Sequence, residues 1–271
     1  MDDLPKAPAW KTQEISLNGY QTVKPLVLFY RDPLECIQAL LQNPTFEGKW
    51  TFAAQRVYED ENQQNHVYGD WMSGDGAWSA QVSTPLTSSF TPLSSFVQST
   101  LPQGGTLLGV VLSSDKTNIS VTTGNCIAHL LLLTLANLSM DIRMKSTYHA
   151  LPLIALLPCP KLRNLKKSFH GVIENRLMHH CLDIVCKPLK EASSRGAFML
   201  DSLGRIRCYF SPLVAYIADT PEAAIIAGVG GRTSHLTLAS HKTFGDHFRH
   251  PTCLGSLTLA QIQIISEDVD S

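Results

Sequence analysis

Between residues 164 and 192 apolar side chains return every three or four positions, at Leu165, Phe169, Val172, Ile173, Leu177, Cys181, Ile184, Val185 and Leu189. That is the period of one face of an α-helix, so the sequence predicts one long amphipathic helix. Pro188 is expected to kink it or end it early, because its ring displaces the preceding turn. A helix this long needs a broad apolar surface to cover.

The residues before it supply that surface. Thr106 to Ser113 is a short β-branched apolar run between Gly-Gly and Ser-Ser-Asp, and reads as a buried strand. Residues 119 to 123 and 130 to 136 read as two more strands, while 150 to 157 suits either a strand or a core helix. After the long helix, Ala197 to Leu200 and Ile206 to Phe210 flank Asp-Ser-Leu-Gly, a hairpin signal. Leu213 to Ala218 then reads as a strand ending at Asp219, and Thr220-Pro221-Glu222 opens a further helix. The order predicts an α/β fold, or α+β, with a mixed sheet and helices packed against it.

The organisation divides into three parts. Residues 1 to 82 form an N-terminal region with one clear helix, where Asp32 caps, Pro33 takes the first position and Cys36, Ile37, Leu40 and Leu41 follow at helical spacing. Residues 83 to 104 are rich in Ser, Thr and Pro and suit a linker. Residues 105 to 271 hold the strands and the long helix.

Charge excludes several classes. With 22 Lys and Arg against 23 Asp and Glu, and 44% hydrophobic residues, the chain is neither a polycation nor a charged disordered protein. Its seven cysteines are too scattered for a secreted disulfide scaffold, and the acidic start MDDLPKAPAW does not make a signal peptide. A soluble chain in a reducing, intracellular compartment is the expectation. On that expectation the sequons at Asn118 and Asn137 arise by chance.

Asp115 follows one predicted central strand and Asp219 ends another about a hundred residues later. If those strands are neighbours, two carboxylates meet at one sheet edge, where their repulsion favours a shared cation. Hard oxygen ligands select Mg²⁺ or Mn²⁺ over zinc. Paired ions about 3.5 to 4 Å apart activate an attacking oxygen and stabilise a leaving one during phosphodiester chemistry. The plainer alternative is that Asp219, before Thr-Pro-Glu, is a helix cap.

Longer blocks bear on the choice: GDWMSGDGAW (69 to 78), GGTLLGVVLSSDKTNISVTTGN (104 to 125), LANLSMDIRMKS (135 to 146), YIADTPEAA (216 to 224), GVGGRTSHLTLASHKTFGDHFRHP (228 to 251) and LFYRDPLECIQALLQNPTF (28 to 46). In this order they resemble the Plavaka-type transposases of basidiomycete fungi, in the Kyakuja-Dileera-Zisupton group of DNA transposons. The resemblance implies a ribonuclease H-like core in which Asp, Asp and Glu hold divalent metal for DNA strand cleavage and transfer. Asp115 then stands as the first acid and Asp219 as the second, with Asp201 and Asp141 as weaker claimants to the second place. The family's third acid lies on a helix well beyond the second. Glu222 is one turn after Asp219 and could approach a metal, but the family motif does not assign it that role, and Glu267 and Asp268 sit near the last residue. The expectation is an incomplete ribonuclease H-like core in a truncated transposase-derived protein without strand-transfer activity. Alternatives are an inert DNA-binding or interaction module and an unstable gene-model fragment.

The remaining constellations carry less. Lys161, Arg163, Lys166 and Lys167 open a basic run that Arg176, Lys187 and Lys190 continue along the helix; it is a solvated helix face or, given the resemblance, a contact for DNA phosphates. The same lysines suit a weak nuclear-import signal, and a nuclear location. The Ala227 to Ser234 segment is glycine-rich but lacks the Gly-Lys of a phosphate loop, and reads as a turn leaving a helix. Cys181 and Cys186 with His179 and His180, and His241, His247, His250 and Cys253, match no zinc spacing. Cys126 and Ser114 lie in no nucleophile motif. Tyr68, Trp71 and Trp78 read as core of the N-terminal region rather than as a platform for bases.

Overall fold

The computed structural model describes residues 7–17, 19–82, 101–102, 104–120, 126–164, 166–253 and 260. The chain divides into two units, one of residues 1–81 and 101–217, the other of 82–100 and 218–271. Most of the segment read as a linker lies outside the described residues.

The first unit opens with Lys11–Ile15 (β1) and Leu26–Tyr30 (β2), an antiparallel pair. Helix Pro33–Gln42 (α1) forms as its sequence predicts: Asp32 Oδ1 accepts the Leu34 N–H at 3.0 Å, and Cys36, Ile37, Leu40 and Leu41 are buried along one side. Val57–Tyr58 (β3) and His66–Val67 (β4) make a small antiparallel ribbon, followed by Asp75–Val82 (α2). Next come Gly105–Leu107 (β5), Val110–Ser120 (β6), Cys126–Leu135 (β7), the single turn Met140–Arg143 (α3) and Leu153–Leu157 (β8). Helix Lys167–Arg195 (α4), Ala197–Leu200 (β9), Ile206–Phe210 (β10) and Leu213–Ile217 (β11) complete the unit.

Among the described residues the main sheet runs β1-β2-β8-β7-β6-β11. Each neighbouring pair is antiparallel except β11, which lies parallel to β6. A smaller sheet, β5-β10-β9, sits apart from it in hydrogen bonding. Helix α4 packs on α1, β8 and β10. Leu131, Leu133 and Leu135 of β7, at the two-residue period of a strand, are fully buried, as are Ile154 and Ala155 of β8. The buried side chains of α4 include Ile173, Leu177, Cys181, Val185 and Leu189, one per turn.

Several expectations need correction. The run from Thr106 is two strands in two sheets, broken at Leu108 and Gly109. A Cβ at Gly109 would stand 3.0 Å from the Trp71 ring, 3.1 Å from Val214 and 3.2 Å from Ala136, so any side chain there would have to displace all three where the backbone changes sheets. Asp115 lies within β6 rather than after it, and Ile119 and Ser120 finish that strand instead of starting another; residues 121–125 lie outside the described ones. The 150 to 157 run resolves as strand β8, and the hairpin of β9 and β10 forms as predicted.

Helix α4 begins later than predicted and passes through Pro188 to Arg195. A proline inside a helix costs about 3 kcal/mol, which burial of Val185, Leu189 and Ala192 on either side offsets. At its other end Phe169 and Val172 are exposed, so the apolar stripe outruns the surface it covers. Of the N-terminal strands, β1 carried no period-2 signal, since it is a polar edge strand with only Ile15 buried. They nevertheless belong to the same sheet as the strands beyond residue 104.

The second unit contains Thr220–Ile226 (α5). It ends in a Schellman turn: Gly228, at φ 68°, donates to Ile225 O and Val229 N–H donates to Ala224 O, each at 3.0 Å. The glycine-rich segment is therefore a helix exit, as predicted. Beyond it, bridges pair Thr233 with Ser240 and Thr237 with Thr252.

Candidate functional site

Strand β6 presents Ser113, Ser114 and Asp115 in succession, and alternation puts Ser113 and Asp115 on one face and Ser114 on the other. Ser114 is buried, and the Tyr216 hydroxyl of β11 donates to its Oγ at 2.9 Å. That interaction reinforces the parallel ladder, in which Ile217 faces Ser113. Asp115 is exposed opposite Leu130, and Thr117 Oγ1 donates to its Oδ2. Lys116, on the Ser114 face, pairs with Glu174 of α4 at 3.7 Å.

Two residues after β11 ends, Asp219 is the N-cap of α5 in the second unit. Its Oδ1 accepts the Glu222 N–H at 2.8 Å, so the plainer reading of this residue describes a role it does fill. The cap uses Oδ1 of the carboxylate. Glu222, in the first turn, is buried.

Of the other claimants, Asp201 has a structural duty. Asp201 is buried and accepts from the backbone N–H of Leu203 at 3.0 Å and of Arg205 at 2.9 Å, and from Arg205 Nε at 2.8 Å. Burial opposes its charge, but the hydrogen bonds from Arg205 and Leu203 outweigh that and hold the carboxyl below its usual range. It builds the hairpin turn between β9 and β10. Asp141 lies exposed on α3.

Carboxylate oxygens have the donor chemistry that Mg²⁺ or Mn²⁺ prefers. Among the described residues, however, no group of three or more His, Cys, Asp or Glu side chains gathers as a metal set. The histidines and cysteines near 180 and 250 accordingly form none, and His250 Nε2 instead lies 3.1 Å from Asp246 Oδ2. Cys181 and Cys186 are pushed up by burial, to about 12 and about 11, and stay thiols at neutral pH.

The basic run is not one helix face. Leu162 bridges to Thr22, Val23 N–H donates to Lys161 O, and Arg163 N–H donates to Gln21 O, so Lys161 and Arg163 project from an extended segment laid along residues 21–23. Both are exposed, and exposed Lys166 is the N-cap residue of α4, with Lys167 next. The sequence missed the Tyr216 to Ser114 hydrogen bond, for which no local signal exists. It also misread Tyr68, which is 64% exposed rather than core.

No helix among the described residues is long and apolar enough to cross a membrane. The sequence model described as Plavaka transposase matches residues 1–270 of the chain. No curated protein and no solved structure matches it.

Proposed function

Because the chain belongs to the Plavaka transposase family, we propose that it is a transposase-derived DNA-binding protein in which Asp115 and Asp219 serve as carboxylate ligands for divalent metal, and that alone it neither cleaves nor joins strands. Family membership supports DNA as the partner and Mg²⁺ or Mn²⁺ as the ion. The observation that carries the assignment is the parallel pairing of β11, the strand leading to Asp219, with β6, the strand bearing Asp115. Three antiparallel strands, a long helix and, after the β9-β10 hairpin, a strand returning parallel to the first also suit the order of a ribonuclease H-like core. Among the described residues no group of three acids gathers, and two carboxylates alone hold a cation weakly and position it poorly, which supports an inactive chain.

Lys161, Arg163, Lys166 and Lys167 are proposed to meet DNA phosphates. Cations at a helix N-terminus oppose its dipole, by about 0.3–1 kcal/mol each, and the first turn of α4 has no acid to compensate. Stability does not account for Lys166 and Lys167 at that terminus, which supports phosphate recognition there. The same cluster suits nuclear import.

The test pairs two assays on the full chain. With Mg²⁺ or Mn²⁺, supercoiled plasmid is expected to stay intact above the metal-only control. Binding to duplex DNA is expected to weaken as salt rises, and changing Lys161, Arg163 and Lys166 together to Ala should flatten the log-log slope by roughly one unit for each phosphate no longer neutralised. Metal-dependent nicking abolished by Asp115→Ala would refute the claim of inactivity. An affinity that ignores salt would refute the phosphate contacts.

A further inference from the structure

The first unit carries a continuous aromatic strip that the nuclease reading does not use. In the ribbon of β3 and β4, the Tyr58 and His66 rings lie 5.4 Å apart, and His66 and Tyr68 4.2 Å apart. The Tyr68 hydroxyl donates to Asp75 Oδ2 at 3.0 Å, and Asp75 Oδ1 stands 3.9 Å from the Arg56 guanidinium. That guanidinium lies over the Trp78 ring, 4.7 Å from its centroid. Tyr58, His66, Tyr68, Asp75, Arg56 and Trp78 thus follow one another as a single surface.

Two properties say what such a surface accepts. One end already holds a guanidinium between an indole and a carboxylate, so the chain supplies its own example of the ligand chemistry. At the other end the Tyr68 ring is 64% exposed beside the same carboxylate, whose side chain is 65% exposed. Aromatic faces attract cations through the ring quadrupole, and a carboxylate beside them adds to that attraction. The surrounding charge has the matching sign. Between residues 56 and 78 the chain carries Glu59, Asp60, Glu61, Asp70 and Asp75 against Arg56 alone, with Asp70 paired to Arg143. Such a field attracts basic segments and repels nucleic-acid phosphates.

We infer that the strip of Tyr58, His66, Tyr68 and Trp78 around Asp75 is a docking site for a basic peptide segment of a protein partner, with an Arg or Lys side chain stacked on Tyr68. The inference stands apart from the metal-site reading, since none of its residues belongs to the carboxylate pair or to the basic run.

Calorimetric titration of the full chain with a short peptide of alternating Arg and Gly tests it, with the same peptide carrying citrulline for Arg and a thymidine oligonucleotide as comparisons. The expected result is binding of the Arg peptide that weakens with salt and falls about threefold to tenfold in both Tyr68→Ala and Asp75→Asn. Both side chains are exposed, so unchanged melting of the variants shows that the fold is intact. The citrulline peptide should bind far more weakly. The inference is overturned if the Arg peptide fails to bind the parent chain, if both variants bind it equally well, if citrulline serves as well as Arg, or if the oligonucleotide binds more tightly through Tyr68.

Discussion

Asn137→Ala is expected to destabilise the chain by about 3–4 kcal/mol, read as a fall in the urea midpoint with little change in slope. Asn137 is 1% exposed. Its Oδ1 accepts the Gly109 N–H at 2.8 Å, and its Nδ2 donates to Leu107 O at 3.0 Å and Thr51 O at 2.9 Å. These bonds hold the place where the chain leaves β5 for β6, and they tie it to the segment at 51. Alanine would take these bonds from a buried donor, a buried acceptor and a part-buried acceptor, the buried ones costing about 1–3 kcal/mol each before relaxation. Asn118→Ala, at the exposed end of β6, should change stability by less than about 0.5 kcal/mol. Equal effects at the two positions would show that the junction is not held this way.

Gly196→Ala is the second large effect, a loss of about 3–5 kcal/mol with two separable causes. Gly196 ends α4 at φ 75° and ψ 160°, a region that residues with a Cβ avoid. A Cβ there would also stand 2.6 Å from Cys208 Sγ and 3.0 Å from Phe210 Cζ. Adding Cys208→Ala should recover part of the loss by removing the nearer obstacle, while the backbone strain remains. Full recovery would assign the whole effect to crowding, and no loss at all would mean that the helix exit differs from the one described.

These two positions mark what local sequence can and cannot convey. The α1 cap, the hairpin at Asp201, the strand before Asp219 and the Gly228 exit were legible because each rests on residues within a turn or two of one another. Asn137 was legible only as part of a sequon, since its partners lie 28, 30 and 86 residues away. Strand β1 was invisible for a related reason: an edge strand with one buried residue has no alternation to detect. Pro188 misled because intrinsic helix preference is a small term beside the burial of α4 against the sheet and α1. For the site, residue type and family pattern singled out Asp115 and Asp219, and the pairing of their strands agrees with the mixed sheet predicted. The cap at Asp219 was legible too, and that dual reading makes the choice of substitution decisive.

Asn caps a helix about as well as Asp, but it lacks the charge that a divalent cation needs. The decisive measurement is the melting midpoint with and without millimolar Mn²⁺ for the parent chain, Asp115→Asn and Asp219→Asn. At a concentration tenfold above Kd the ion should stabilise the parent by about 1.4 kcal/mol, a rise of roughly 2–4 °C for a chain of this size. Both variants should melt like the parent without metal and lose the rise with it. A parent chain indifferent to Mn²⁺, or a rise of the same size in both variants, would contradict the assignment of these two carboxylates as metal ligands.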